Sequence, residues 1–172
     1  MQRGKTVIFT IKSHQRGRLW LQRAFDTCQL FDVADDAQGE QIQINARYQE
    51  VLPSTFLNGY LVLSLDGQLP KRPLTDEQII QLAVMIEKPI VITGSLEDRH
   101  LADQIGQASG CAVFPTCGDL NGSEIASIVG HAQGLIGFGS LWNQVSSALS
   151  IVQRVISSPL DADDLQQHVL WA

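Results

Sequence analysis

Residues 89–149 carry one strand-turn-helix unit written almost three times over, and no other feature of the chain limits its fold as strongly. Pro89-Ile90-Val91-Ile92-Thr93 is a short β-branched run, Gly94-Ser95 breaks it, and residues 96–108 place apolar side chains at helical spacing. In the second unit Cys111-Ala112-Val113-Phe114-Pro115 is strand-like and residues 117–122 are a loop. Residues 123–132 then read as a helix opening on Ser123, a good N-cap residue. Gly134-Leu135-Ile136-Gly137-Phe138 is the third strand, Gly139-Ser140 the third turn and residues 141–149 the third helix. Strands alternating with helices of roughly 10 to 15 residues pair in parallel through crossover helices. The expected fold class is α/β, a Rossmann-like doubly wound, mostly parallel sheet with helices on both faces.

The flanking segments fit the same grammar. Residues 5–11 read as a first strand, and polar residues 12–17 lead into a helix carrying Leu19, Leu21, Ala24, Phe25 and Leu30. Residues 32–39 are an acidic loop, and Gln41-Ile42-Gln43-Ile44-Asn45 alternates as an edge or half-exposed strand does. Residues 59–65 are a strong buried strand ended by Asp66-Gly67, and in the loop 68–73 Pro70 and Pro73 stand on either side of Lys71-Arg72. Thr75 caps a helix over 76–87, with Gln78 in the capping-box position and Ile79, Ile80, Leu82, Ala83 and Ile86 on its buried side. A last strand over 152–157 and a terminal helix over 161–171 complete the expectation of a single α/β domain across residues 1–172.

Composition removes several function classes. No apolar run approaches the roughly 20 residues of a membrane span, and the first residues carry no export signal, so a cytoplasmic location is expected. A net charge of −6 argues against nucleic acid as a partner, while a local basic pocket can still hold a phosphate. Cys28, Cys111 and Cys117 lack C-x-x-C spacing, and His14, His100, His131 and His168 show no metal spacing. No metal site and no cofactor are expected.

Residues 59 onward resemble the C-terminal half of GT-B glycosyltransferases, nearest to the heptosyltransferase-like glycosyltransferase family 9. The motifs in order are a strand over 60–65, then Lys71-Arg72-Pro73, then Ile90-Val91-Ile92-Thr93-Gly94-Ser95. Gly118 and the helix Ser123-Glu124-Ile125-Ala126-Ser127-Ile128-Val129 follow, and Gly139-Ser140 with Ala148-Leu149 closes the series. The resemblance implies a nucleotide-sugar donor and, in an active enzyme, transfer with inversion. It also implies site residues: Lys71 on the diphosphate, an acid in the first turn after Gly94 (Glu97 or Asp98) on the ribose, and the loop around Gly139 and Ser140 facing the donor. The family's acid, glycine and histidine are replaced by Gly139, Leu141 and Gln144, Asp66-Gly67 stands where hydroxyl side chains meet the diphosphate, and residues 1–53 are too few to form the other half. The implied catalytic machinery is incomplete.

The carboxyl ends of parallel strands are where α/β sheets bind ligands, so the turns after the strands define the expected site. Its candidate nucleotide or ligand-binding residues are Lys71, Gly94, Ser95, Asp98, Gly118, Gly139 and Ser140, with Ser123 as a further hydroxyl donor. N-capping explains the serines and helix-dipole complementarity explains Glu97 and Asp98 equally well. Cys117 reads as an inert thiol unless a helix N-terminus lowers its pKa, and Trp142 suits a stacked base, a subunit contact or simple packing. Two functions stay open: a glycosyltransferase-like domain binding a nucleotide or nucleotide sugar, and a non-enzymatic interaction or small-ligand domain that pairs with a partner protein or a second copy. A third comparison, of residues 89–122 with the central domain of thiamine-diphosphate enzymes, leaves the Lys71 loop and the Ser123 helix unexplained.

Overall fold

The computed structural model describes residues 5–11, 32–34, 40–46, 52–67, 72–149 and 151–157. Strands β1 (Lys5–Ile11), β2 (Asp32–Ala34) and β3 (Glu40–Ala46) form a small antiparallel sheet in the order β1-β3-β2. This corrects one expectation and narrows another. Residues 32–34, read as part of an acidic loop, pair with β3, and of the two places open to β3, edge or half-exposed, it is not at the edge but central in this sheet. Its alternating sequence fits either place, because an antiparallel strand covered on one face carries the same pattern wherever it pairs. The helix expected around Leu19 to Leu30 and the terminal helix over 161–171 lie outside the described residues.

The second sheet is all parallel. Strands β4 (Leu61–Gly67), β5 (Ile90–Thr93), β6 (Val113–Pro115), β7 (Gly134–Phe138) and β8 (Gln153–Val155) are ordered β6-β5-β4-β7-β8. Helices α1 (Asp76–Val84), α2 (Arg99–Ala108), α3 (Gly122–His131) and α4 (Leu141–Ala148) make the successive crossovers. The chain steps outward from β4 to β5 and β6, then returns past β4 to β7 and β8. With right-handed crossovers, that reversal sends later helices to the opposite face.

Burial follows the two-residue period of each strand. Leu61, Leu63, Leu65, Ile90 and Ile92 pack with Ile79 and Leu82 of α1 and Leu101 and Ile105 of α2. Val62, Val91 and Leu135 pack on the other face with Ile128 and Val129 of α3 and Val145 of α4. Each such buried aliphatic side chain contributes about 1.5–3 kcal/mol, so the strand alternation fixes the layers more firmly than any cap.

The helix starts obey local rules. Thr75 Oγ1 accepts from Gln78 N at 3.3 Å while Gln78 Oε1 accepts from Thr75 N at 2.9 Å, the reciprocal box expected from the sequence. Helix α3 is capped two residues earlier than expected: Asn121, not Ser123, is its N-cap, with Asn121 Oδ1 accepting from Glu124 N at 3.0 Å and Glu124 Oε2 from Asn121 N at 2.9 Å. Asn121 has the better partner in Glu124 three residues on. A 3-10 turn, Leu96–Asp98, precedes α2 because Asp98 Oδ2 folds back onto both Ser95 N and Ser95 Oγ at 2.9 Å.

Candidate functional site

The strand order reverses between β4 and β7, and the crevice outside their carboxyl ends is where doubly wound sheets take ligands. The two strands part there. Their pairing is regular up to Leu63↔Ile136 and resumes only at Gly67↔Phe138, so four steps along β4 (63 to 67) face two along β7 (136 to 138). Ser64 and Asp66 lie in this irregular stretch. Ser64 Oγ is 3.4 Å from Ser140 Oγ, and Trp142, buried at the start of α4, lies beside the half-buried Asp66 carboxyl. Burial, then the nearby Asp98 carboxylate, push the Asp66 pKa above its ordinary value, while the Trp142 hydrogen bond and Arg72 oppose them.

The turn from β7 into α4 closes on itself. Gly139 N and Ser140 N donate to Asn143 Oδ1 at 3.1 and 3.2 Å, and Trp142 N donates to Ser140 Oγ at 3.3 Å. Asn143 Nδ2 in turn donates to Gln153 Oε1 at 3.2 Å, tying α4 to β8. Gly139 has a φ of +79°, a conformation in which a β-carbon is strained. An acidic side chain at this position is therefore both absent and conformationally disfavoured.

A second corner forms where β5 and β6 end. Gly118, at a φ of +75°, donates its N–H to Gly94 O at 3.0 Å, and a β-carbon on Gly118 would stand 3.0 Å from Leu96 Cα. Arg72 reaches Asp98 Oδ1 at 2.7 Å and Asp76 Oδ1 at 3.4 Å. Arg99 donates to Cys117 O at 3.2 Å and pairs with Asp119. Cys117 is buried, and its thiol is pushed up to about 12 by that burial and by the carboxylates of Asp98 and Asp66, with Arg99 opposing them and Asp119 adding to the rise. It is an inert packing thiol.

Of the residues proposed from the sequence, Gly94, Ser95, Asp98 and Gly118 therefore meet at one corner and Gly139 and Ser140 at the other. Asp66 lies between, near enough to Asp98 for the two charges to interact. Lys71 lies outside the described residues, and the side chain of Ser123 is likewise not described. Asn143 and the neighbouring pair Ser64 and Thr93 were missed as site components, whereas Asp66 and Trp142 were both placed at the rim and only their contact with each other was unforeseen. Thr93 is opposite Ser64 in the β4–β5 register, has no exposed surface, and its Oγ1 has no hydrogen-bond partner. The signal was available for that pair, since Ser64 and Thr93 are the polar residues that interrupt two buried apolar runs. Among the described residues no group of three or more His, Cys, Asp or Glu is placed to hold a metal ion, and no helix is long and apolar enough to cross a membrane.

No protein-family model and no curated protein sequence matches the chain. Solved structures do. The E. coli heptosyltransferase WaaC with ADP-2-deoxy-2-fluoro heptose superposes with a TM-score of 0.52 at 14% identity, covering 70% of this chain and 45% of that one. The E. coli ADP-heptose lps heptosyltransferase II gives 0.51 at 11% identity, covering 92% and 52%. This chain has a heptosyltransferase-like fold. A glycosyl transferase family 9 protein from Veillonella parvula is also similar, at a TM-score of 0.49 and 11% identity over 84% of this chain and 36% of that chain, and the fold assignment rests on the first two. The chain spans about half the length of those two heptosyltransferases. At these identities the heptosyltransferase-like fold is what is shared, and the side chains at the crevice are this chain's own.

Proposed function

We propose that the chain is a glycosyltransferase-like domain that binds a nucleotide or nucleotide sugar in the crevice between the carboxyl ends of β4 and β7, without complete catalytic machinery. One observation carries this reading: β4 and β7 lose register at the point where the strand order reverses, and Ser64, Asp66, Ser140 and Trp142 converge there. A relative of the same fold was solved with an ADP-sugar analogue, which makes nucleotide sugars the first ligands to try. Catalysis needs a group that moves a proton or stabilises developing charge at the sugar. Gly139 offers no side chain, Asn143 is spent on backbone N–H groups, and Gln144 cannot act as a base.

The test is thermal unfolding of the full chain against UDP, GDP, ADP and CMP and their sugars, because a ligand that binds only the native state raises Tm by mass action. The expected outcome is a dose-dependent rise with one nucleotide family, reduced in Lys71→Ala. No shift at millimolar ligand sinks the reading. The self-closed β7–α4 turn favours the second reading, an interaction domain without a small ligand. Sedimentation then distinguishes a monomer from a dimer or larger assembly.

A further inference from the structure

The same tripeptide occurs twice in the chain, as Leu57-Asn58-Gly59 and as Leu120-Asn121-Gly122. Asparagine is a thermolabile residue, and glycine after it makes loss of the side-chain amide easiest, because no β-carbon keeps the glycine nitrogen away from the asparagine Cγ. Leucine precedes the asparagine in both copies, so their intrinsic tendencies match and a difference between them comes from the fold. The two surroundings are unlike.

Ring closure requires the asparagine ψ to turn until the next backbone nitrogen reaches Cγ. At Asn121 that rotation is resisted by hydrogen bonds to side chain and main chain alike. Asn121 Oδ1 accepts from Glu124 N at 3.0 Å, Asn121 N donates to Glu124 Oε2 at 2.9 Å, and Asn121 O accepts from Ile125 N at 3.1 Å. These bonds hold its ψ at 168°, and turning it undoes the capping box together with the first bond of α3. Asn58 stands exposed in the turn between a 3-10 turn, Ser54–Phe56, and β4. Among the described residues nothing holds its side chain, and the bond that must open is the one from Gly59 N to Phe56 O, at 3.2 Å.

We propose that Asn58 is a site of spontaneous deamidation in the folded protein and that Asn121 is not. Gly59 N gives up its proton and attacks Asn58 Cγ. The new C–N bond closes a succinimide, the Cγ–Nδ2 bond breaks, and the amide nitrogen leaves as ammonia with that proton. Water then opens the ring at either carbonyl and leaves aspartate or isoaspartate at position 58. Both products add a negative charge to the turn. Isoaspartate also lengthens the main chain just before Gly59, which has a φ of +114° and fits so closely against Gln133 that a β-carbon would stand 2.5 Å from Gln133 Nε2.

The experiment incubates the full chain at mildly alkaline pH, in buffer and in concentrated urea, and follows both peptides by mass spectrometry that separates asparaginyl, aspartyl and isoaspartyl forms. In buffer Asn58 is expected to convert on the order of tenfold or more faster than Asn121, as the additional hydrogen bonds at Asn121 imply. In urea the rates are expected to converge, since the unfolded copies share one tripeptide. Asn121 converting in buffer as fast as Asn58, Asn58 converting in urea alone, or a gap of the same size in urea each overturns the inference. The natural chain serves throughout, so no result depends on a variant that folds.

Discussion

The two faces of the parallel sheet are built from different materials. Under α1 and α2 the buried core is almost entirely aliphatic, with Leu61, Leu63, Leu65, Ile79, Ile90, Ile92 and Ile105 interlocking. Under α3 and α4 the core mixes Val62, Val91 and Leu135 with the aromatic rings of Phe56, Tyr60 and Trp142. It also buries Ser64, Thr93, Ser127, Ser140, Asn143 and Ser146, of which Thr93 and Ser127 have unpartnered hydroxyls. An aliphatic interface gains stability from every methylene it hides, whereas a buried hydroxyl contributes only when it is paired. The first face is made for holding the sheet together, and the second gives up part of that stability to hold polar groups in place beside the crevice.

Adjacent residues of β5 put this contrast to its hardest test. Ile92 faces α1 and α2, and Ile92→Ala is expected to cost about 2–5 kcal/mol by denaturant unfolding, the range for a cavity opened in a packed core. On the polar face the largest loss is expected at Asn143. Removing its amide strands Gly139 N and Ser140 N and cuts the tie to Gln153, so Asn143→Ala should cost about 2–3 kcal/mol, from a lost cap plus buried groups left unpaired. Thr93→Val, one residue from Ile92, should go the other way and raise stability of the ligand-free protein by about 1 kcal/mol, because an unpaired hydroxyl is exchanged for a methyl of the same shape. If Thr93→Val destabilises as Ile92→Ala does, the hydroxyl is paired in solution and the two faces do not differ in kind.

Local signals explain how much of this was legible. The strands β4 to β8, the capping box of Thr75 with Gln78, and the two-sided helix arrangement all follow from patterns contained within a dozen residues. The crevice does not. Trp142 reaches Asp66, and Ser140 reaches Ser64 across 76 positions, so neither contact leaves a mark in any one window of sequence. Arg72, which the sequence shows only as the neighbour of Lys71, is held by Asp98 from 26 positions away. The pairing of residues 32–34 with β3 was hidden for a related reason, since three residues are too few to show a period. Asn143 was passed over because an asparagine inside a helical pattern reads as a weak helix former, and its value lies in what the preceding turn leaves unpaired.

The smallest expected effect bears on the balance at Asp66, where the aliphatic and polar faces meet the rim. Its pKa is raised chiefly by burial and then by Asp98, so the folded protein holds a proton at pH values where the unfolded chain, with an ordinary pKa of 3.8, has released it. The native state then binds more protons than the unfolded one, and this group's contribution to stability falls as pH rises from 3.8 through the folded pKa, remaining unfavourable above it. Asp66→Asn keeps an acceptor for Trp142 and removes the charge. It should raise Tm slightly at neutral pH, and the gain over the natural chain should shrink to nothing as both are titrated below the ordinary carboxylate range. Paired melting curves across that range read the difference directly, with the other carboxylates cancelling because both proteins share them. A variant that melts lower than the natural chain at neutral pH would mean that the Trp142 hydrogen bond to an ionised carboxylate outweighs burial and Asp98.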